Sequence, residues 1–400
     1  MFITKTKSVL GILGVLLLSL NVVGQSLSSK KPYIKQKSYY QEIPFEYVKG
    51  KIIVPVTLEG EVYRFILDTG APNIINTHLA KKLGVVLSDS IKVSDANETK
   101  QQMASVKVPK LSLSNLDFYN TKALLHTIET DDIFNCFQID GFIGSNILHH
   151  SVIQINHKEK KIIITDAIKK VKVNKKSKTK LLLVGNQKAP YIWITLNKEL
   201  KNAVLLDTGM EGSYDISFKT HDMFSKKDNY KLIGKGDGTA GIGLFGTGKK
   251  TTHYRTLINK IELGTTIFKN ILAETTTDTN SRIGSDFFEQ GISTFDFTKK
   301  KFYFESYTSS PDISEKLIGF SPTLKDNKLI VGIVWEDELR QKIETGDEIL
   351  SINGKTIKDM PLCELMITTS IFRDSDSLIM KVKNIKGELI EVTTNRTYPQ

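Results

Sequence analysis

Phe65-Ile66-Leu67-Asp68-Thr69-Gly70 decides the fold because it occurs twice: Val204-Leu205-Leu206-Asp207-Thr208-Gly209 follows 139 residues later. Ile143-Gly144-Ser145 returns as Ile283-Gly284-Ser285, shifted by 140. That shift is kept beyond it, where Val152 matches Ile292, Ile155 matches Phe295, and Lys160-Lys161 match Lys300-Lys301. Upstream, Thr57-Leu58 returns as Thr195-Leu196. So many matches held in one order mark an internal repeat. Its copies span residues 45–166 and 181–306. The run between them, 167–180, carries seven lysines and no acid, and reads as a solvated linker.

Each copy reads as β. Ile52, Val54, Val56 and Leu58 alternate with other residues, as do Ile192, Ile194 and Leu196. A period of two suits strands with one buried face. Short strands separated by turn residues predict a small barrel-like lobe, with a short helix after the first Asp-Thr-Gly at 77–83.

The two motifs carry the chemistry. Three apolar residues before each Asp place a carboxylate at the end of a buried strand, which is costly unless it is hydrogen-bonded or paired. The Gly allows close backbone approach and its amide can donate to the carboxylate; the Thr hydroxyl can bond across to the other copy. A twofold relation would bring Asp68 and Asp207 together. Two close carboxylates share one proton, so one can take a proton from water while the other gives one to a carbonyl oxygen.

At these residues the chain resembles the pepsin-like and retropepsin-like aspartic proteases. The resemblance rests on Asp68-Thr69-Gly70-Ala71, on Asp207-Thr208-Gly209 and on the two Ile-Gly-Ser segments, of which Asp140-Gly141-Phe142-Ile143-Gly144 looks like the family's psi-loop motif. It implies a mainly β fold of two pseudo-symmetric acid-protease β-barrel lobes in one chain. It also implies peptide-bond hydrolysis without cofactor, metal or covalent intermediate. Asp68 and Asp207 would be catalytic, supported by Thr69, Gly70, Thr208 and Gly209. Seven glycines between 234 and 248 suit a hairpin flap over the cleft. The first-copy counterpart near 93–103 lacks glycine, which points to a single flap. Met210 and Arg282 depart from the family pattern. They motivate an alternative: an inactive two-lobed peptide-binding protein or scaffold using the cleft or a C-terminal groove.

From 312 to 396 the pattern changes. Gly346-Asp347-Glu348-Ile349-Leu350-Ser351-Ile352-Asn353-Gly354-Lys355 is a strand entering an Asn-Gly turn. The segment resembles the PDZ family, an α+β fold, with Leu362 to Thr369 as its groove helix. The resemblance implies binding of an extended peptide by strand addition beside Gly319-Phe320.

Lys5 and Lys7, then an apolar run from Val9 to Leu20 and small residues at 22–24, have the layout of a signal peptide over 1–24, followed by a Ser- and Lys-rich leader over 25–44. An uncleaved anchor is the alternative; both place the rest of the chain outside the cytoplasm, periplasmic or secreted. The net charge of +11 is concentrated in the 167–180 run, so no broad basic surface for nucleic acid is expected. Partners are therefore a peptide or protein substrate and a peptide ligand of the C-terminal domain, with the chain a monomer. Two cysteines exclude a disulfide scaffold. Cys136 and Cys363 fall in different domains, and two free thiols are favoured over an interdomain bridge. Gly243 to Lys249 narrowly misses a phosphate loop, since Lys250 stands where Ser or Thr must hold magnesium.

Overall fold

The computed structural model of the protein describes residues 32–129, 132–228, 230–239 and 241–399. The segment read as a signal peptide, and leader residues 25–31, lie outside the described residues. The fold is mainly β.

The alternating residues behave as their period requires. Ile52, Val54, Val56 and Leu58 of strand Lys51–Leu58 are buried in one large apolar cluster with Phe65 and Leu67 of strand Glu61–Asp68. Ile53 and Ile66, on the opposite face, join a second cluster with Ile74, Phe137 and Phe142. Burying a side chain of this size contributes about 1.5–3 kcal/mol, so both faces of this hairpin are fixed. Its strands belong to a closed ring. Glu61–Asp68 runs parallel to Gly141–Gly144, which pairs with Ile74–Asn76, then Leu116–His126, Lys100–Leu113 and back to Lys51–Leu58. Later in the chain a second ring closes through Leu200–Leu206, Ser281–Ile283, Tyr214–Ser217, Thr266–Thr276, Thr251–Leu263 and Ala189–Leu196. Helices Thr77–Lys82 and Phe218–Phe224 start at side-chain caps, Asn76 and Ser217.

A six-stranded sheet ties the rings together. At its centre Val152–Asn156 pairs antiparallel with Gly291–Asp296, and Gln154 Nε2 donates to Thr294 Oγ1 at 2.9 Å. The basic run is less of a free linker than its charge suggests. Lys178–Lys180 forms an edge strand of this sheet against Lys301–Ser306, and Lys170 Nζ donates to Asp166 at 2.7 Å. Lysine tolerates an edge strand because its backbone pairs while its ammonium stays in water.

Residues after 312 build a smaller apolar core around Phe320, Ile349, Leu365 and Met380. Its strands include Phe320–Lys325, Lys328–Val334, Glu348–Ile352 and Ser377–Lys383, with helix Leu362–Thr368. Asn353 and Gly354 both take positive φ in the expected tight turn, 48° and 79°. A strand pairing and a disulfide are among its attachments. Ile333 pairs with Gly238 of strand Lys231–Gly238, extending the sheet of the second ring. Cys136 and Cys363 form a disulfide across 227 residues. The expectation of two free thiols is therefore corrected. Helix Leu362–Thr368 packs on the short helix Ile133–Phe137, and the packing brings the two Cα atoms to 4.8 Å, which no spacing in sequence reveals.

Candidate active site

Each aspartate stands where an apolar strand runs out beside a parallel neighbour. Asp68 ends strand Glu61–Asp68 opposite Gly144. Asp207 follows strand Leu200–Leu206, and its amide donates to Ile283 O at 3.0 Å. The threonines lock the two turns together. Thr69 Oγ1 donates to Leu206 O at 2.6 Å and accepts from Thr208 N at 3.1 Å. Thr208 Oγ1 donates to Leu67 O at 2.8 Å and accepts from Thr69 N at 3.0 Å. Both threonines are buried, so all four bonds form away from water.

The glycines set the separation of the carboxylates. A β-carbon on Gly70 would lie 2.6 Å from Asp207 Cγ, and one on Gly209 would overlap the Asp68 carboxylate. Each glycine thus touches the aspartate of the opposite turn. Gly70 N and Ala71 N donate to Asp68 Oδ1 at 2.9 and 3.0 Å, and Gly209 N donates to Asp207 Oδ1 at 2.9 Å. Asp207 is buried, while Asp68 keeps part of its surface open to the cleft. Desolvation, and then the Asp207 charge, push the Asp68 carboxyl up to about 7 against the opposing pull of Lys51 and the two amides. Lys51 reaches across from its strand to donate to Gly209 O at 2.5 Å.

Met210 does not disturb this frame. Its carbonyl accepts from Ser285 N at 3.0 Å as the Ala71 carbonyl accepts from Ser145 N at 3.1 Å. Arg282 changes the chemistry more. Phe142 packs edge-on against Phe134 at 5.1 Å, whereas Arg282 turns into a nest of acids. It lies 2.6 Å from Asp215 Oδ2, 3.7 Å from Asp207 Oδ2 and 3.8 Å from Asp278 Oδ2.

Two hairpins cover the site, not one. Strands Leu87–Ser94 and Lys100–Leu113 form the first, and its tip meets the glycine-rich segment directly. Asp95 Oδ2 accepts from Phe245 N at 3.0 Å, and Asn97 Nδ2 donates to Gly246 O at 2.8 Å. The first hairpin turns without glycine because Asp95 Oδ1 accepts from the amides of Asn97 and Thr99. Two glycines of the glycine-rich segment have a use beyond the hairpin turn. A β-carbon on Gly236 would overlap Val334 O, and one on Gly238 would overlap Gly332 O. Gly236 and Gly238 let the C-terminal unit's backbone approach.

Beneath the hairpins lies a cavity of about 1690 Å³ that contains both aspartates. It continues to Pro322 and Leu324 on strand Phe320–Lys325 and to Met366 on the facing helix. Phe320 is fully buried at its edge against Phe372, with ring centroids 5.8 Å apart. Gly319 is not among the lining residues; its carbonyl accepts from Trp335 N at 2.8 Å, and Glu336 and Leu339 fill the space beside it. Lys51, Asp95, Asp215 and Asp278 were not singled out from sequence. The one signal toward them is Arg282, which stands where Phe142 stands in the first copy.

No curated protein matches the chain. Among solved structures, a retropepsin-like aspartic protease from Rickettsia conorii is similar at 19% identity and a TM-score of 0.25, over 33% of this chain and 95% of its own. Residues 54–147, which carry Asp68-Thr69-Gly70 and strand Gly141–Gly144, match the family model described as aspartyl protease.

Proposed function

We propose that the chain is an exported aspartic endopeptidase that hydrolyses peptide bonds through Asp68, Asp207 and an activated water. The observation that carries this reading is the crossed threonine bonding, which holds two carboxylates face to face across paired glycines. One carboxylate accepts a proton from water as the water oxygen attacks the carbonyl carbon; the other protonates the carbonyl oxygen.

On this reading the catalytic unit is two lobes of one design. Support comes from the strand rings, which run in the same order with the same parallel and antiparallel steps. Further support comes from Gln154, which pairs with Thr294, its own counterpart 140 residues on; that is the pairing a twofold axis through the sheet requires. The unit from 312 to 396 is read as a PDZ-like domain that extends the substrate cleft. Strand Phe320–Lys325 has a strand on one edge only among the described residues, and the cavity runs past that strand from the aspartates. An extended peptide could add to the free edge with the rest of its length at Asp68 and Asp207. The disulfide supports export, since such bonds persist in oxidising compartments.

The test is cleavage of a mixed peptide library from about pH 3 to 8 by the mature chain beside Asp68→Ala and Asp207→Asn. Cuts present in the wild type and lost in both variants are expected. The second reading, an inactive peptide-binding protein, is favoured by the Arg282 contact with Asp207; equal inertness of folded wild type and variants would establish it instead.

A further inference from the structure

Arg282 sits on strand Ser281–Ile283, directly across from Asp215 on strand Tyr214–Ser217. Its guanidinium is largely buried, with 12% of the side chain exposed. Arginine stays charged at any relevant pH, so a permanent cation is built into one side of the site. Asp215, at 2.6 Å, and Asp278 hold it there. Asn280 fixes Asp278 in turn, donating to its Oδ1 through N and Nδ2 at 2.8 and 2.9 Å. Nη1, the nitrogen that lies 3.8 Å from Asp278 Oδ2, also lies 3.7 Å from Asp207 Oδ2, and Nε is buried with no hydrogen-bond partner among the described residues.

The other half of the pair has a different surrounding. Asp68 forms no ion pair among the described residues. Lys51, the nearest cation to influence it, is directed to Gly209 O. The remaining groups facing this cluster are Tyr191, whose phenol is pushed up to about 12 by burial and by Asp278 and Asp207, and Glu274. Glu274 is itself paired with Arg255 at 2.6 Å. The cationic side chain is therefore on the Asp207 side, while the backbone gives Asp68 two amide donors against one for Asp207.

We propose that Arg282 is a positioning residue that fixes the negative charge of the pair on Asp207 and leaves the shared proton on Asp68. Resting on the hydrolytic reading for its consequence, this assigns the two roles. Asp207 takes a proton from water as the C–O bond forms, and Asp68 gives its proton to the carbonyl oxygen, producing a neutral gem-diol. On collapse Asp207 passes its proton to the departing amine nitrogen as the C–N bond breaks, and a gem-diol hydroxyl returns a proton to Asp68. Water and peptide are consumed, acid and amine are formed, and the pair ends as it began.

The experiment reads the protons directly and does not need turnover. The protein is labelled with ¹³C at the aspartate carboxyl carbons, the Asp68 and Asp207 resonances are assigned with Asp68→Asn and Asp207→Asn, and both are titrated from about pH 4 to 8. In the wild type the Asp68 carbon is expected to carry the near-neutral titration while the Asp207 carbon stays at its ionised position. Arg282→Lys keeps this pattern. Arg282→Gln moves protonation of the pair upward by about one pH unit or more and spreads it over both carbons. Asp215→Asn, which keeps the arginine and removes a like charge near Asp207, moves protonation of the pair the opposite way, downward, and so separates the arginine's charge from a folding defect in Arg282→Gln. Near-neutral titration at Asp207 in the wild type, or identical titrations in wild type and folded Arg282→Gln, overturns the proposal. If the predicted titrations appear but no peptide is cut, the proton assignment stands and the hydrolytic reading is what fails.

Discussion

Thr69 and Thr208 at the centre of the site are sealed from water, whereas Asp68 keeps part of its surface open. Thr69 and Thr208 are satisfied by each other's turns, so Thr208→Val removes the donor to Leu67 O and the acceptor for Thr69 N at once. An orphaned buried polar group costs about 1–3 kcal/mol. Thr208→Val should lower stability by at least that much in urea unfolding, whereas Thr208→Ser should recover most of the loss. Asp68 makes a claim about pH. Its carboxyl is raised in the folded state, so the folded chain binds a proton more tightly than the unfolded one. That contribution is fully present below the ordinary aspartate range, about pH 4, and is lost as pH rises through about 7. The melting temperature of the wild type should therefore fall, relative to Asp68→Asn, between those limits. Equal pH slopes for the two proteins would contradict the shift.

At the scale of elements, the two covering hairpins show how different sequences solve one problem. The tip at 95–99 turns on the Asp95 carboxylate, and the one at 241–246 turns on Gly241 and Gly246, both at positive φ, 72° and 98°. Asp95 also holds the second tip through Phe245 N. Asp95→Ala should unlatch both. The expected result is faster amide hydrogen exchange at 242–247 and a raised KM, with little change in global stability because the contact joins two hairpin tips away from the main core. Gly238 is constrained by its neighbour across the sheet rather than by its φ. Gly238→Val should separate the strand from the Gly332 backbone and destabilise the attachment of the C-terminal unit, seen as an earlier, separate step in thermal unfolding.

For the whole molecule, the disulfide is the covalent connection between distant parts of the chain. Closing a loop of 227 residues removes about 5 kcal/mol of chain entropy from the unfolded state in the simplest model. Reduction, or Cys136→Ser with Cys363→Ser, should lower the denaturant midpoint strongly, and thiol titration of the unreduced native chain should find no reactive cysteine. The same change frees helix Leu362–Thr368 from the cleft wall. Cleavage of long peptides should then fall more than cleavage of short ones if the C-terminal unit extends the cleft.

The repeat, its β character, the paired Asp-Thr-Gly motifs and the separate C-terminal pattern are visible in the sequence because each rests on local periodicity or on self-comparison. A residue such as Ile66 or Val204 declares a buried strand by its immediate neighbours. The disulfide, the meeting of Asp95 with Phe245, the edge strand hidden in the lysine run and the true use of Gly236 and Gly238 had to wait for tertiary structure. Each depends on which surfaces pack together. Arg282 lies between the two cases: the sequence marked it as out of place, and only the folded chain put Asp207, Asp215 and Asp278 around it. Local pattern is written along the chain, but the charge a residue meets is set by neighbours that come from anywhere in it.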